Sequence, residues 1–133
     1  MTTYLLDANV LIALTVAEHE HHERATTWAA EIDRFALCPV VEGALVRFLV
    51  RVGESARAAT QLLQAIYALP GCEFWPDGLS YTGADLSHVR GHRQVTDAYL
   101  VSLAASRLGG VLATLDEGLT KERPDMTLLV PGP

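Results

Sequence analysis

Apolar positions along the chain fall into two kinds of run. Short, nearly continuous ones read as strands: Tyr4-Leu5-Leu6, Phe35–Val40 with Pro39 near its end, Glu73-Phe74-Trp75, Val111–Leu115 and Thr127–Val130. Longer segments between them carry apolar residues at helical spacing. Asp7-Ala8-Asn9 stops the first strand, and Val10-Leu11-Ile12-Ala13-Leu14 begins a helix. His19 to Asp33 places Ala25, Trp28, Ala29 and Ile32 at helical spacing. Glu42 to Val52 puts Leu45, Val46, Leu49 and Val52 on one face, with Gly53 as its stop. Ser55 is a candidate N-cap for a helix reaching Leu69 and closed by Pro70-Gly71. Residues 80–93 pattern most weakly, as one or two helical turns and a loop around Gly91. Thr96 to Leu108 is the clearest helix, ended by Gly109-Gly110, and Asp116–Lys121 reads as a short helix or turn.

Strands alternating with helices imply parallel strands joined by crossovers, hence an α/β fold: a three-layer α/β/α sandwich with a central parallel sheet. Near-continuous apolar strands such as Tyr4–Leu6 and Val111–Leu115 suit a sheet buried on both faces. The 133 residues fit a single domain spanning 1–133. Two cysteines, Cys38 and Cys72, make no disulfide framework and point to a reducing, cytoplasmic setting. The longest apolar stretches, Val10–Ala17 and Ala98–Ala105, are far short of the ~20 residues that cross a bilayer, and no signal peptide is visible. Membrane and secreted readings are therefore set aside. The net charge of −6 argues against a broad basic surface gripping nucleic acid and leaves room for a local basic patch.

Open parallel sheets bind ligands beyond the carboxyl ends of their strands, where strand order reverses. Asp7 follows the first strand directly, Glu42 opens the helix after the second, and Asp116 follows Val111–Leu115. Asp97 begins the long helix that feeds Val111–Leu115. Such a helix runs antiparallel to its strand, which puts Asp97 on the same side of the sheet. Whether it reaches the same cleft depends on strand order, and spacing leaves that open. Each acid taken alone is explained well enough as a helix-terminal cap. Together they are not so easily explained. Two carboxylates ~4 Å apart repel by about 4 kcal/mol at an effective dielectric near 20. A cluster therefore needs a cation or raised pKa values to persist. Oxygen-only sites of this kind suit Mg²⁺ or Mn²⁺ and point to phosphoryl chemistry. Asn9 and Thr114, two residues from Asp7 and Asp116, are placed to orient those carboxylates or to serve only as turn and strand-end residues.

Leu5-Leu6-Asp7-Ala8-Asn9-Val10-Leu11, Pro39-Val40-Val41-Glu42, Val95-Thr96-Asp97-Ala98-Tyr99-Leu100 and Leu112-Ala113-Thr114-Leu115-Asp116 together resemble the PIN-domain nucleases, most closely the VapC-like ribonuclease toxins of toxin–antitoxin modules. The resemblance spans nearly the whole chain in the family's motif order. It implies that Asp7, Glu42, Asp97 and Asp116 match an acidic quartet that binds divalent metal and activates water to cut RNA. It also implies that the start of the Asp97 helix enters the shared cleft, and that Asn9 and Thr114 match the family's supporting polar positions. A homodimer and a small inhibitory antitoxin are the partners it implies. Glu117 departs from the pattern, since relatives often carry a basic residue there.

Other features have plainer readings beside the functional one. His19-Glu20-His21-His22-Glu23 reads as a solvated helix start rather than a zinc site, with only His19 and His22 sharing a helical face. His88 and His92 have the spacing of a helical metal pair, which Gly91 weakens. Arg90, His92 and Arg93, just before Asp97, are better candidates for RNA-phosphate contacts. Arg47 and Arg51 are open to the same role or to pairing with nearby acids. Trp28 sits in an apolar stripe and reads as core; Trp75, beside a turn, is open to stacking on a base. Neither cysteine has the neighbours of a reactive thiolate. Two rivals to a nuclease are a phospho-receiver signalling domain and a non-catalytic interaction module. A receiver needs a lysine at the end of a late strand, and Lys121, the sole lysine, falls in an expected turn. A phosphatase using Asp7 as nucleophile lacks a second Asp two residues on, where Asn9 stands.

Overall fold

The computed structural model describes residues 1–132; Pro133, the last residue of the expected domain span, lies outside the described residues. Five strands, β1 (Thr3–Leu6), β2 (Phe35–Leu37), β3 (Cys72–Phe74), β4 (Gly110–Thr114) and β5 (Thr127–Leu129), form one sheet in the order β3-β2-β1-β4-β5. Every neighbouring pair is parallel. In register, Leu6 of β1 stands opposite Ala113 of β4. Strand order reverses at the β1–β4 pair, because β2 and β3 extend from one side of β1 and β4 and β5 from the other.

Six helices connect these strands: α1 (Ala8–Thr15), α2 (His22–Ala29), α3 (Pro39–Arg51), α4 (Ala56–Tyr67), α5 (Val95–Ala105) and α6 (Glu117–Glu122). Parallel crossovers are right-handed, so a reversal of direction moves the crossover helices to the other face of the sheet. Accordingly α1 packs on α2 and α3, and α3 on α4, in one layer, while α5 packs on β4 and β1 from the other. This is the expected α/β/α sandwich. Leu5 and Leu6 point to opposite faces and both are buried, as are Leu112 and Ala113. The central strands therefore bury both faces, as their unbroken apolar pattern required.

Several boundaries differ from the sequence reading, each for a local reason. α1 begins at Ala8, earlier than Val10, because the Asp7 carboxylate caps it by accepting from the Ala8 N–H at 2.8 Å. β2 ends at Leu37, since Pro39 takes the first position of α3, where its missing N–H is no loss. α2 is shorter than His19–Asp33. His19 and His21 lie in a turn before it, with the His21 N–H donating to His19 Nδ1 at 3.0 Å. Only His22 is helical, and its ring bonds the Ala13 carbonyl at 2.8 Å, so the shared helical face of His19 and His22 does not exist. Residues 80–93 hold two single 3₁₀ turns, Tyr81–Gly83 and His92–Gln94. His88 lies outside both, so His88 and His92 do not share a helix. Ser55 caps α4 as expected, accepting from the Ala58 N–H at 3.0 Å.

Trp28 belongs to the core, edge-on to Tyr4 at 5.3 Å between centroids. Trp75 is also buried. Its indole N–H donates to Glu73 at 3.2 Å and the Arg107 guanidinium lies over its ring, which leaves no face for a base. No helix among the described residues is long and apolar enough to cross a membrane.

Candidate active site

Asp7 and Asp116 each leave the carboxyl end of a central strand and cap the helix that follows. Asp116 accepts from the Gly118 and Leu119 N–H groups at 2.9 and 3.2 Å. The two acids flank the point of strand-order reversal, the place where a parallel sheet opens a crevice. Asp97, in the first turn of α5, completes a cleft of about 140 Å³ whose lining includes Asp97, Asp116, His88 and Arg123. Capping therefore accounts for one oxygen each of Asp7 and Asp116, and it does not explain Asp97. That carboxylate accepts no hydrogen bond from the described residues.

One buried hydroxyl organises the junction. Thr114 donates to Asp7 Oδ2 at 2.7 Å, and its oxygen accepts from the Asp116 N–H at 3.1 Å and from Asn9 Nδ2 at 3.5 Å. Its one donor and two acceptor positions are thereby all used. Asn9 in turn accepts from the Leu115 N–H at 3.2 Å, fixing the loop that carries Asp116. Thr114 thus touches the Asp7 carboxylate directly, whereas Asn9 reaches it only through Thr114 and otherwise holds the strand-end loop.

The electrostatics are those of crowded acids. Burial pushes the Asp7 carboxyl above its ordinary range, against the Thr114 hydroxyl and Ala8 N–H bonds that lower it, and Asp116 pushes it further up. Asp97 is pushed up to about 7, by burial first and then by Asp7 and Asp116. Among the described residues no Arg, Lys or His pairs with any of the three; Arg123, which lines the cleft, pairs with Asp85 and Asp125 instead.

Glu42 lies in the first turn of α3, at the carboxyl end of β2, beside β1. Its carboxylate accepts from the Tyr67 hydroxyl, and its charge acts on Tyr67 and Cys72. The structure thus brings Asp7, Asp97, Asp116, Asn9 and Thr114 into one network of contacts and charges, with Glu42 on the adjoining strand end. No three His, Cys, Asp or Glu side chains among the described residues stand together as a ready ligand group. The chemistry of the donor set nonetheless fits a hard divalent cation: oxygens only, unneutralised charge, and one carboxylate without a protein donor.

Arg90, His92 and Arg93 are exposed on the segment leading into α5. Gln94 ties that segment down by accepting from the Arg90 and Gly91 N–H groups at 2.6 and 3.3 Å. Burial holds the Cys38 and Cys72 thiols up at about 11, which makes both poor nucleophiles. Lys121 lies on α6, not at the end of a late strand, so the lysine a phospho-receiver requires is missing. Tyr67 and Arg123 escaped the sequence reading. Tyr67 meets Glu42, and Arg123 one of its two partners, Asp85, far along the chain, and no local motif marks either.

A protein-family model described as PIN domain matches residues 4–122. The chain is 55% identical over 130 residues to Ribonuclease VapC29 of Mycobacterium tuberculosis, covering 97% of each. It is 38% identical over 127 residues to Ribonuclease VapC39 of the same organism, covering 88% of this chain and 91% of the relative. A solved structure, described as VapBC2 from Rickettsia felis bound to a DNA fragment from their promoter, matches with a TM-score of 0.66. It covers 96% of this chain and 97% of that one at 15% identity, a likeness of fold.

Proposed function

The chain belongs to the PIN-domain family, with ribonucleases named VapC among its relatives, and from that premise we propose that it is a metal-dependent endoribonuclease, the toxin of a toxin–antitoxin pair. The observation that carries this reading is the cleft at the β1–β4 reversal. There the charge of Asp116 raises the proton affinity of Asp7 and Asp97, and that of Asp7 raises Asp97 further, with no protein cation paired to any of the three. Asp7, Asp97, Asp116 and Glu42 would hold Mg²⁺ or Mn²⁺. When bound, such an ion supplies positive charge against the scissile phosphodiester and eases deprotonation of the attacking water.

The remaining work falls to the chain. Thr114 keeps the Asp7 carboxylate aimed and, with Asn9, fixes the backbone that carries Asp116, so little reorganisation is needed when substrate arrives. Asp97, with no hydrogen-bond donor on its oxygens and a carboxyl pushed up to about 7, suits a ligand or a proton acceptor at the cleft wall. Arg90, His92 and Arg93 are the groups that would meet RNA phosphates and position the strand. An exposed single-stranded or looped segment fits so small a cleft better than a duplex does. The domain, read as spanning 1–133, acts in the cytoplasm as a homodimer restrained by a small cognate antitoxin protein.

The test is cleavage of mixed cellular RNA by the purified chain with Mg²⁺, Mn²⁺ or chelator, beside Asp97→Asn. Discrete products are expected with either metal, and at least a hundredfold less product with chelator or with Asp97→Asn. Cutting that survives both changes would sink the site assignment.

A further inference from the structure

Glu42 differs from the three aspartates in having one specific side-chain partner, the Tyr67 hydroxyl, which donates to its Oε2 across the α3–α4 contact. Tyr67 is the last residue of α4, and Phe74 of β3 holds its ring edge-on with centroids 6.2 Å apart. The ring and the hydroxyl therefore have separate neighbours. Asp7 and Asp116 are fixed by backbone N–H groups of their own helices. Glu42 has no such cap, and a glutamate left alone samples several rotamers. The phenol is the only described group that hydrogen-bonds its carboxylate.

We infer that Tyr67 is a positioning residue whose hydroxyl holds the Glu42 carboxylate in the orientation from which it serves the divalent-cation site; this rests on the nuclease reading above. Tyr67 makes no hydrogen bond to the aspartates and acts through Glu42 alone. A bond to a charged acceptor is stronger than one between neutral groups. Outer partners that orient metal-holding side chains typically contribute 10–100-fold in metal affinity or activity. A plain staple between α3 and α4 would behave differently, since its loss would lower stability and leave metal affinity alone.

Tyr67→Phe keeps the ring and its contact with Phe74 and removes only the hydroxyl. Mn²⁺ alone is titrated by calorimetry into the wild type, Tyr67→Phe, Glu42→Gln and the double variant, with RNA cleavage measured across the same Mn²⁺ range and the thermal midpoint of each recorded. Tyr67→Phe is expected to weaken Mn²⁺ binding roughly tenfold and to recover most cleavage at saturating Mn²⁺. In the Glu42→Gln background it is expected to add no further loss. Unchanged Mn²⁺ affinity in Tyr67→Phe overturns the positioning role, and so does an equal loss with and without Glu42. A lowered thermal midpoint with unaltered affinity also overturns it, by assigning the hydroxyl to helix packing. If Glu42→Gln leaves Mn²⁺ affinity and cleavage untouched, the role of Glu42 falls and that of Tyr67 with it. A wild type that neither binds Mn²⁺ nor cuts RNA overturns the nuclease reading itself, and that control is read before any variant.

Discussion

Asp97 holds its charge against its surroundings, because burial and then the neighbouring Asp7 and Asp116 push its carboxyl up to about 7. In an unfolded chain the same group titrates near 4. A folded-state pKa above the unfolded one favours the native state fully below about pH 4, and that advantage is lost as the pH rises through 7. Asp97 is half-buried, so solvent screening cuts the effect to about 1 kcal/mol. In chelator, the melting temperature is therefore expected to fall between pH 5 and 8 in the wild type. Asp97→Asn should melt higher than the wild type at pH 8 and show a flatter profile. A differential scanning series at matched ionic strength reads both. Identical pH profiles for the two proteins would mean that Asp97 is not the strained group. The same variant that should abolish cleavage should thus make the fold more robust, the usual sign of an acid kept for chemistry rather than for packing.

Among the elements, the turn from α4 into β3 is the tightest joint. Gly71 has φ +81°, and a Cβ there would stand 2.0 Å from the Asp33 carbonyl oxygen, while Gly53 at φ +104° has open space around it. Both positions disfavour a side chain, and only one also forbids it sterically. Gly53→Ala is expected to destabilise by about 1 kcal/mol and Gly71→Ala by about 3 kcal/mol or more. Urea titrations of the pair give the ordering, and equal losses would mean that the backbone at 33–34 yields freely. Elements whose cause is local were legible in the sequence: Ser55 as a cap, β1 and β4 as unbroken apolar runs, and the long α5. Where a terminus depends on a local side-chain bond or ring constraint rather than on apolar spacing, legibility failed. Asp7 started α1 early, Pro39 converted the end of an expected strand into a helix start, and the His19–His21 turn shortened α2. For the site, the strand-end rule located Asp7, Asp116 and the side of Asp97. That Asp7 and Asp116 come near enough to act on Asp97 needed the strand order, which no spacing contains. Tyr67 could not be foreseen, since its link to Glu42 exists only through the packing of α4 on α3.

Across the whole molecule, a net charge of −6 sits badly with a polyanionic substrate unless cations are concentrated where the strand enters. Under the proposed function, the exposed Arg90 and Arg93 beside α5 would supply such a concentration. If each neutralises one RNA phosphate, removing both should flatten the plot of log affinity against log salt by roughly 1.4 for a single strand. Binding to a short RNA is best measured on the Asp97→Asn chain, which leaves the RNA intact; the comparison is with Arg90→Ala and Arg93→Ala added. A slope that does not change would remove both arginines from the RNA path. The strand order has a further consequence, for synthesis. β1 lies at the centre of the sheet and takes β4, rather than its nearest successor, as one of its two neighbours, so Leu6 waits for Ala113 before it is paired on that side. A chain still emerging from the ribosome can lay β3, β2 and β1 together, but it cannot close the crevice that holds the aspartates. The crevice is thus complete only after Ala113 and Asp116 have been made, so topology alone sets when in synthesis the three aspartates can meet.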